Sequence, residues 1–75
     1  MALTLERMRT DVADCLGEEA ADIPVDENLV DYGLDSVRIM ALLERWRREH
    51  GVSADFADLA EQPALAAWAT LLGAA

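Results

Sequence analysis

Lysine is absent from this 75-residue chain, cysteine and histidine occur once each, and no long unbroken apolar run is present. Each shortage closes a class of function. A single cysteine, Cys15, forms no disulfide within the chain, whereas a secreted scaffold this small would ordinarily be stapled; a reducing cytoplasm is the expectation. The first ten residues hold Glu6, Arg7 and Arg9, which is unlike a signal peptide, and no segment suits a membrane span. One His and one Cys, far apart, leave no ligand cluster for zinc. Asp26, Asn28 and Asp31 lack the glycine and glutamate that a calcium loop needs at its sixth and twelfth positions. His50 lies fourteen residues beyond Ser36, about 21 Å along one straight helix, so the two form no hydrolytic pair. Six bases, all arginine, face fifteen acids for a net charge of −9, and nucleic acid is repelled by such a chain. An acidic surface instead favours basic partners by speeding and orienting their encounter.

The composition is 53% hydrophobic with only 5% aromatic, so a core of Leu, Ala, Val, Ile and Met with two tryptophans is indicated. That suits packed helices. Residues 1–75 make one domain, which buries only about 60% of the surface its unfolded chain exposes.

Four helical segments can be placed. Leu5, Met8, Val12 and Cys15 or Leu16 recur at intervals of three and four, with Thr4 as cap and Gly17 as stop; Cys15 then sits on the apolar stripe as a small core hydrophobe. From Gly17 to Asp35 come seven acids and no base. This is a connection, with Ile23, Val25, Leu29, Val30, Tyr32 and Leu34 spaced as pegs into a core and a short helical turn expected after Asp26; the charges are a solvated face. A second helix runs from Ser36 to His50, closed by Gly51. Its cations Arg45, Arg47, Arg48 and His50 suit the negative end of the helix dipole, with a basic docking patch for an acidic partner as the other reading. Ser53 or Asp55 starts a short third helix over Asp55 to Ala60, and Pro63 opens a fourth that Gly73 closes, with Leu65, Trp68 and Leu72 buried. The expected fold is all-α, a small four-helix bundle with a long first loop and a short third helix.

Ser36 stands at the junction of the acidic connection and the second helix. Serine is favoured there as a cap because its hydroxyl can satisfy a first-turn N–H. A reciprocal capping box is absent, since Ile39 follows Ser36 and Arg38 follows Asp35 by three residues. The hydroxyl is therefore expected to face solvent. At about 100° per residue, Ile39, Leu42, Leu43, Trp46 and His50 share one side of this helix, while Val37, Met40 and Ala41 project from the other, next to Ser36. Three apolar side chains clustered on a solvent face mark a surface meant to be covered. Trp46 and Trp68 are assigned to packing.

The run Asn28-Leu29-Val30-Asp31-Tyr32-Gly33-Leu34-Asp35-Ser36-Val37-Arg38 resembles the attachment motif of the carrier proteins of thiotemplate biosynthesis, and among them most the aryl carrier proteins of nonribosomal peptide and siderophore assembly. The similarity continues through Arg45-Trp46-Arg47, His50-Gly51, Phe56, Leu59-Ala60 and the stretch from Pro63 to Trp68.

The resemblance implies the same helical fold and a non-catalytic protein. It implies that Ser36 is esterified with 4′-phosphopantetheine from coenzyme A by a phosphopantetheinyl transferase, and that Asp35 and Leu34 belong to the motif this transferase reads. An adenylating enzyme would load an acyl group as a thioester and a condensing or tailoring enzyme would remove it. Val37, Arg38, Met40, Ala41, Phe56 and Ala60 are the candidate partner contacts, with Phe56 equally readable as core. Arg38 and the Tyr32-Gly33-Leu34 lead-in point to an aryl cargo such as a hydroxybenzoate; an aminoacyl cargo, a polyketide-type acyl carrier and an unmodified helical adaptor are the alternatives. The chain is expected to act as a monomer, either free-standing or excised from a synthetase, with the initial Met favouring the first.

Overall fold

Thr4 begins the first helix by accepting a hydrogen bond at Oγ1 from the Arg7 N–H, 3.1 Å away. In the computed structural model, which describes residues 3–73, α1 then spans Leu5–Leu16 and ends at Gly17 in the left-handed conformation. Helix α2 covers Ser36–His50 and closes at Gly51, α3 covers Phe56–Glu61, and α4 covers Leu65–Leu72 before Gly73. No strand occurs among the described residues. The all-helical expectation and the bounds of α1 and α2 follow from the caps and stops in the sequence.

One core unites the four helices. Met8 and Val12 from α1, Ile39, Leu42, Leu43 and Trp46 from α2, Leu59 from α3, and Leu65 and Trp68 from α4 are all buried. The indoles of Trp46 and Trp68 meet edge to face, with centroids 5.8 Å apart and planes at 72°, an arrangement contributing about 0.5–1.5 kcal/mol beyond area burial. Each ring also has a buried N–H to satisfy. Trp68 Nε1 donates to the Leu59 carbonyl at 2.9 Å, tying α4 to α3. Trp46 Nε1 donates to Asp11 Oδ2 at 2.9 Å, tying α2 to α1.

Asp11 is absent from the sequence expectations, yet it is 2% exposed. Its second oxygen faces Arg45 Nη2 at 3.5 Å and Arg7 Nη1 at 3.9 Å, so the buried carboxylate has an indole and two guanidinium groups around it. On a helical wheel Asp11 lies about 40° beyond Cys15, at the edge of the apolar stripe, so the wheel alone does not mark it as buried; once buried, an acid demands a partner.

The acidic connection is ordered by backbone bonds to its surroundings. Ile23, Leu29 and Leu34 are buried and Val25 is partly so. The Leu29 N–H donates to the Pro63 carbonyl at 2.8 Å, and the Ala66 N–H donates to the Val25 carbonyl at 2.9 Å. Arg9 Nε donates to the Ile23 carbonyl at 2.9 Å. The connection thus crosses from α1 to the start of α4. Two short 3-10 turns shape it, over Ala20–Asp22 and Leu29–Tyr32; the second is the turn expected after Asp26.

Two expectations are corrected here. Val30 and Tyr32 are not pegs, being 51% and 41% exposed. The 3-10 turn swings Val30 outward while Leu29 goes in, and the Tyr32 hydroxyl is held at the surface by donating to Glu27 Oε2 at 2.9 Å. Pro63 does not open α4, which starts two residues later at Leu65 after an extended Ala64. The Pro63 carbonyl is engaged by Leu29, and the Ala66 N–H, a first-turn donor of α4, is taken by Val25; docking of the connection decides where the helix begins. For α3, of the two starts that the sequence offers, Ser53 and Asp55, the cap is Asp55, whose N–H donates to Asp58 Oδ2 at 3.3 Å.

Candidate functional site

The turn before α2 aims its first residues. Gly33 has φ of 102°, and the Leu34 N–H donates to the Leu29 carbonyl at 3.1 Å, with the Gly33 N–H donating to Val30 at 3.2 Å. This is the left-handed ending that glycine adopts without a Cβ penalty. Leu34 is thereby driven into the core at 2% exposure. Asp35 and Ser36 emerge on the outside.

Asp35, not Ser36, caps α2. Its Oδ1 accepts from the Arg38 N–H at 2.9 Å, and its Oδ2 takes Arg38 Nη1 at 3.0 Å. A carboxylate accepts this bond at the positive end of the helix better than a neutral hydroxyl does. Of the two readings of Ser36, a plain cap or a solvent-facing hydroxyl, the second holds. Ser36 is the first helical residue, exposed, and its hydroxyl forms no hydrogen bond among the described residues.

Around it the surface is apolar. Ser36, Val37, Met40, Ala41 and Glu44 line an open hollow of about 470 Å³. Val37 is 77% and Met40 49% exposed, although the opposite side of the same helix is wholly buried. Phe56 and Ala60 on α3 are half-buried and stand outside this hollow, Phe56 packing against the core. The structure brings Ser36, Val37, Met40 and Ala41 together, and sets Arg38 beside them through Asp35.

Two further groups have shifted acidities. Burial pushes the Cys15 thiol up; the Arg38 guanidinium pulls it back and the Asp35 and Asp14 carboxylates push with burial. The half-buried thiol stays protonated at neutral pH, in keeping with its place on the apolar stripe. Tyr32 is also raised, first by its hydrogen bond to Glu27. Among the described residues no cluster of His, Cys, Asp or Glu could hold a metal ion, and no helix is long and apolar enough to cross a membrane.

Residues 6–72 match the family model described as a phosphopantetheine attachment site. The chain belongs to that family. This carrier domain is 49% identical over 69 residues to the isochorismatase of Bacillus subtilis, covering 92% of the chain and 22% of that protein. It is 46% identical over 69 residues to phenyloxazoline synthase MbtB of Mycobacterium tuberculosis, covering 92% of the chain and 5% of that enzyme. Over 47 residues it is 60% identical to enterobactin synthase component B of Escherichia coli, 63% of the chain and 16% of that protein. The chain therefore spans less than a quarter of the length of each of these relatives.

Family membership implies a covalent 4′-phosphopantetheine group, and the residues fit one. A solvent-facing hydroxyl without a competing bond is available for esterification, and a phosphodiester at the first residue of α2 would lie beside first-turn N–H groups, where helices favour anions. Arg38 offsets the charge of Asp35 next to it.

Proposed function

We propose that this carrier domain holds an aryl group as a thioester on a 4′-phosphopantetheine arm at Ser36 and passes it between enzymes of nonribosomal siderophore assembly. The observation that carries the reading is the exposed, unbonded Ser36 hydroxyl beside an apolar hollow, in a chain of the phosphopantetheine attachment family. The relatives named for enterobactin and phenyloxazoline synthesis favour an aryl cargo.

The pantetheine thiol supplies the acyl-carrying chemistry when bound. The chain's own residues present and orient. Asp35 fixes the start of α2, Leu34 anchors the turn from inside, and Gly33 supplies the bend that leaves Ser36 outside. Val37, Met40 and Ala41 form the patch that partner enzymes cover, with Arg38 at its edge and Phe56 and Ala60 extending it from α3. The partners are a phosphopantetheinyl transferase, an adenylating enzyme and a condensing or tailoring enzyme. Docking must be weak, because a shuttle visits several enzymes in turn. A small interface anchored by Met40 suits that, and methionine adapts to partners of different shape.

Intact mass after incubation with coenzyme A, Mg²⁺ and a broad-specificity transferase tests the attachment. The wild type gains one phosphopantetheine and Ser36→Ala gains none. An unmodified wild type, or a modified Ser36→Ala, defeats the assignment.

A further inference from the structure

Arg48 is the one arginine among the described residues with neither a carboxylate nor a carbonyl partner. Arg7 and Arg45 face Asp11, Arg9 donates to the Ala21 and Ile23 carbonyls, Arg38 pairs with Asp35, and Arg47 with Glu44 and Asp55. In a chain with fifteen acids and six bases, a cation left alone is the exception. The favoured partner is at hand, because a glutamate four residues before a cation makes the best helical pair, and that glutamate is Glu44. It is taken instead by Arg47 Nη1 at 3.6 Å. Arg47 is in turn fixed by donating from Nη2 to the Ala54 carbonyl at 2.7 Å. The link between α2 and α3 therefore draws Glu44 away and leaves Arg48 facing solvent. The helix dipole favours cations near this end, but it acts on Arg47 as well and does not account for the difference.

Arg48 also has a telling position. It follows Ala41 by seven residues, two turns and about 10 Å along the same line of α2, with Glu44 of the hollow's rim between them. An interface of about 800 Å² per partner is roughly 30 Å across and covers both. On that face Asp35 is offset by Arg38 and Glu44 by Arg47, so the uncompensated charge is positive. The helix has four arginines against Glu44 and Glu49, while thirteen acids and two arginines make up the rest of the chain's charge.

We propose that the α2 face takes a partner surface in which a carboxylate stands beside an apolar anchor, and that Arg48 meets that carboxylate. This rests on the α2 patch being the docking face. A cation at the edge of such a patch steers encounter, so its removal slows productive association and its effect fades with salt.

The test uses the holo-protein, with full modification checked by mass, and the hydroxybenzoate-adenylating enzyme that charges the wild type. The kcat/KM for loading is measured at 20 and 500 mM NaCl for Arg48→Glu and Met40→Asp. For Arg48→Glu we expect a loss of about tenfold at low salt, shrinking to less than about threefold at high salt. Met40→Asp loses rate at both. Unchanged or faster loading by Arg48→Glu, or a loss that ignores salt, overturns the acidic-partner assignment. If Met40→Asp is slowed in that same case, the docking face stands without it; if Met40→Asp also loads normally, the docking face itself is wrong.

Discussion

The connection over residues 17–35 and the outward ridge of α2 treat apolar side chains in opposite ways. In the connection, charge is displayed and Ile23, Leu29 and Leu34 are hidden, which holds a segment with only two short 3-10 turns in order; Val30 and Tyr32, which the second turn leaves at the surface, are its exceptions. On α2, Val37 and Met40 are displayed although the helix needs nothing from them, since its other side already supplies Ile39, Leu42, Leu43 and Trp46 to the core. Apolar exposure on α2 is thus not a shortage of places to hide. The first region buries most of its hydrophobes in the fold, and the second leaves Val37 and Met40 free for the partner contact proposed above.

The largest effect that separates the two regions is on stability. Leu29→Ala empties a fully buried site and is expected to cost about 2–5 kcal/mol, a large share of the roughly 4–11 kcal/mol available to a domain of this size. Met40→Ala, on the displayed side, should change stability by less than about 0.5 kcal/mol. Urea unfolding of both variants measures the contrast, and equal losses would erase it. Next comes the bond between α1 and α2. Trp46→Phe keeps most of the ring but strips Asp11 of its indole donor, for an expected cost of about 1–3 kcal/mol.

Much of this fold is written locally. Thr4, Gly17 and Gly51 punctuate α1 and α2, and the apolar pattern of α2 separates its two faces without reference to any other segment. What escaped depends on distant partners. Asp11 is understood only once Trp46 and Arg45 stand opposite it. The start of α4 at Leu65 rather than Pro63 follows from the connection binding Pro63 and Ala66, a docking no local pattern spells out. At the site, the position and exposure of Ser36 were legible; that Asp35 caps the helix was not, since it depends on its carboxylate reaching the Arg38 N–H.

A smaller effect is expected where the two regions join. Gly33 holds φ of 102° and a Cβ there would meet only Leu16 Cδ2 at 3.8 Å, so Gly33→Ala meets backbone strain and no clash. The expected cost is about 1–2 kcal/mol. Because this turn aims Ser36, modification by the transferase should also slow. A full stability loss with an unchanged modification rate would show that the turn serves the fold alone.

The smallest effect is the most local probe of the boundary, since the Cys15 thiol senses both sides of it. Burial raises its pKa above the ordinary 9.0, with Arg38 of α2 lowering it and Asp35 of the connection raising it. The native thiol therefore keeps its proton when the unfolded chain's thiol has lost it. Stability from this group is intact below about pH 9 and declines as pH rises from there through the native pKa, because the unfolded state then binds fewer protons than the native one. Cys15→Ala should flatten that decline. Replacing each neighbour separates the contributions: Arg38→Gln raises the thiol further and Asp35→Asn, which keeps a capping side chain, lowers it. Ellman or iodoacetamide rates across pH 7–10 read both directions, because the thiolate is the reactive form. If the two substitutions move the rate the same way, α2 and the connection do not act on Cys15 with opposite sign, and the electrostatic boundary drawn between them at Asp35 and Arg38 is misplaced.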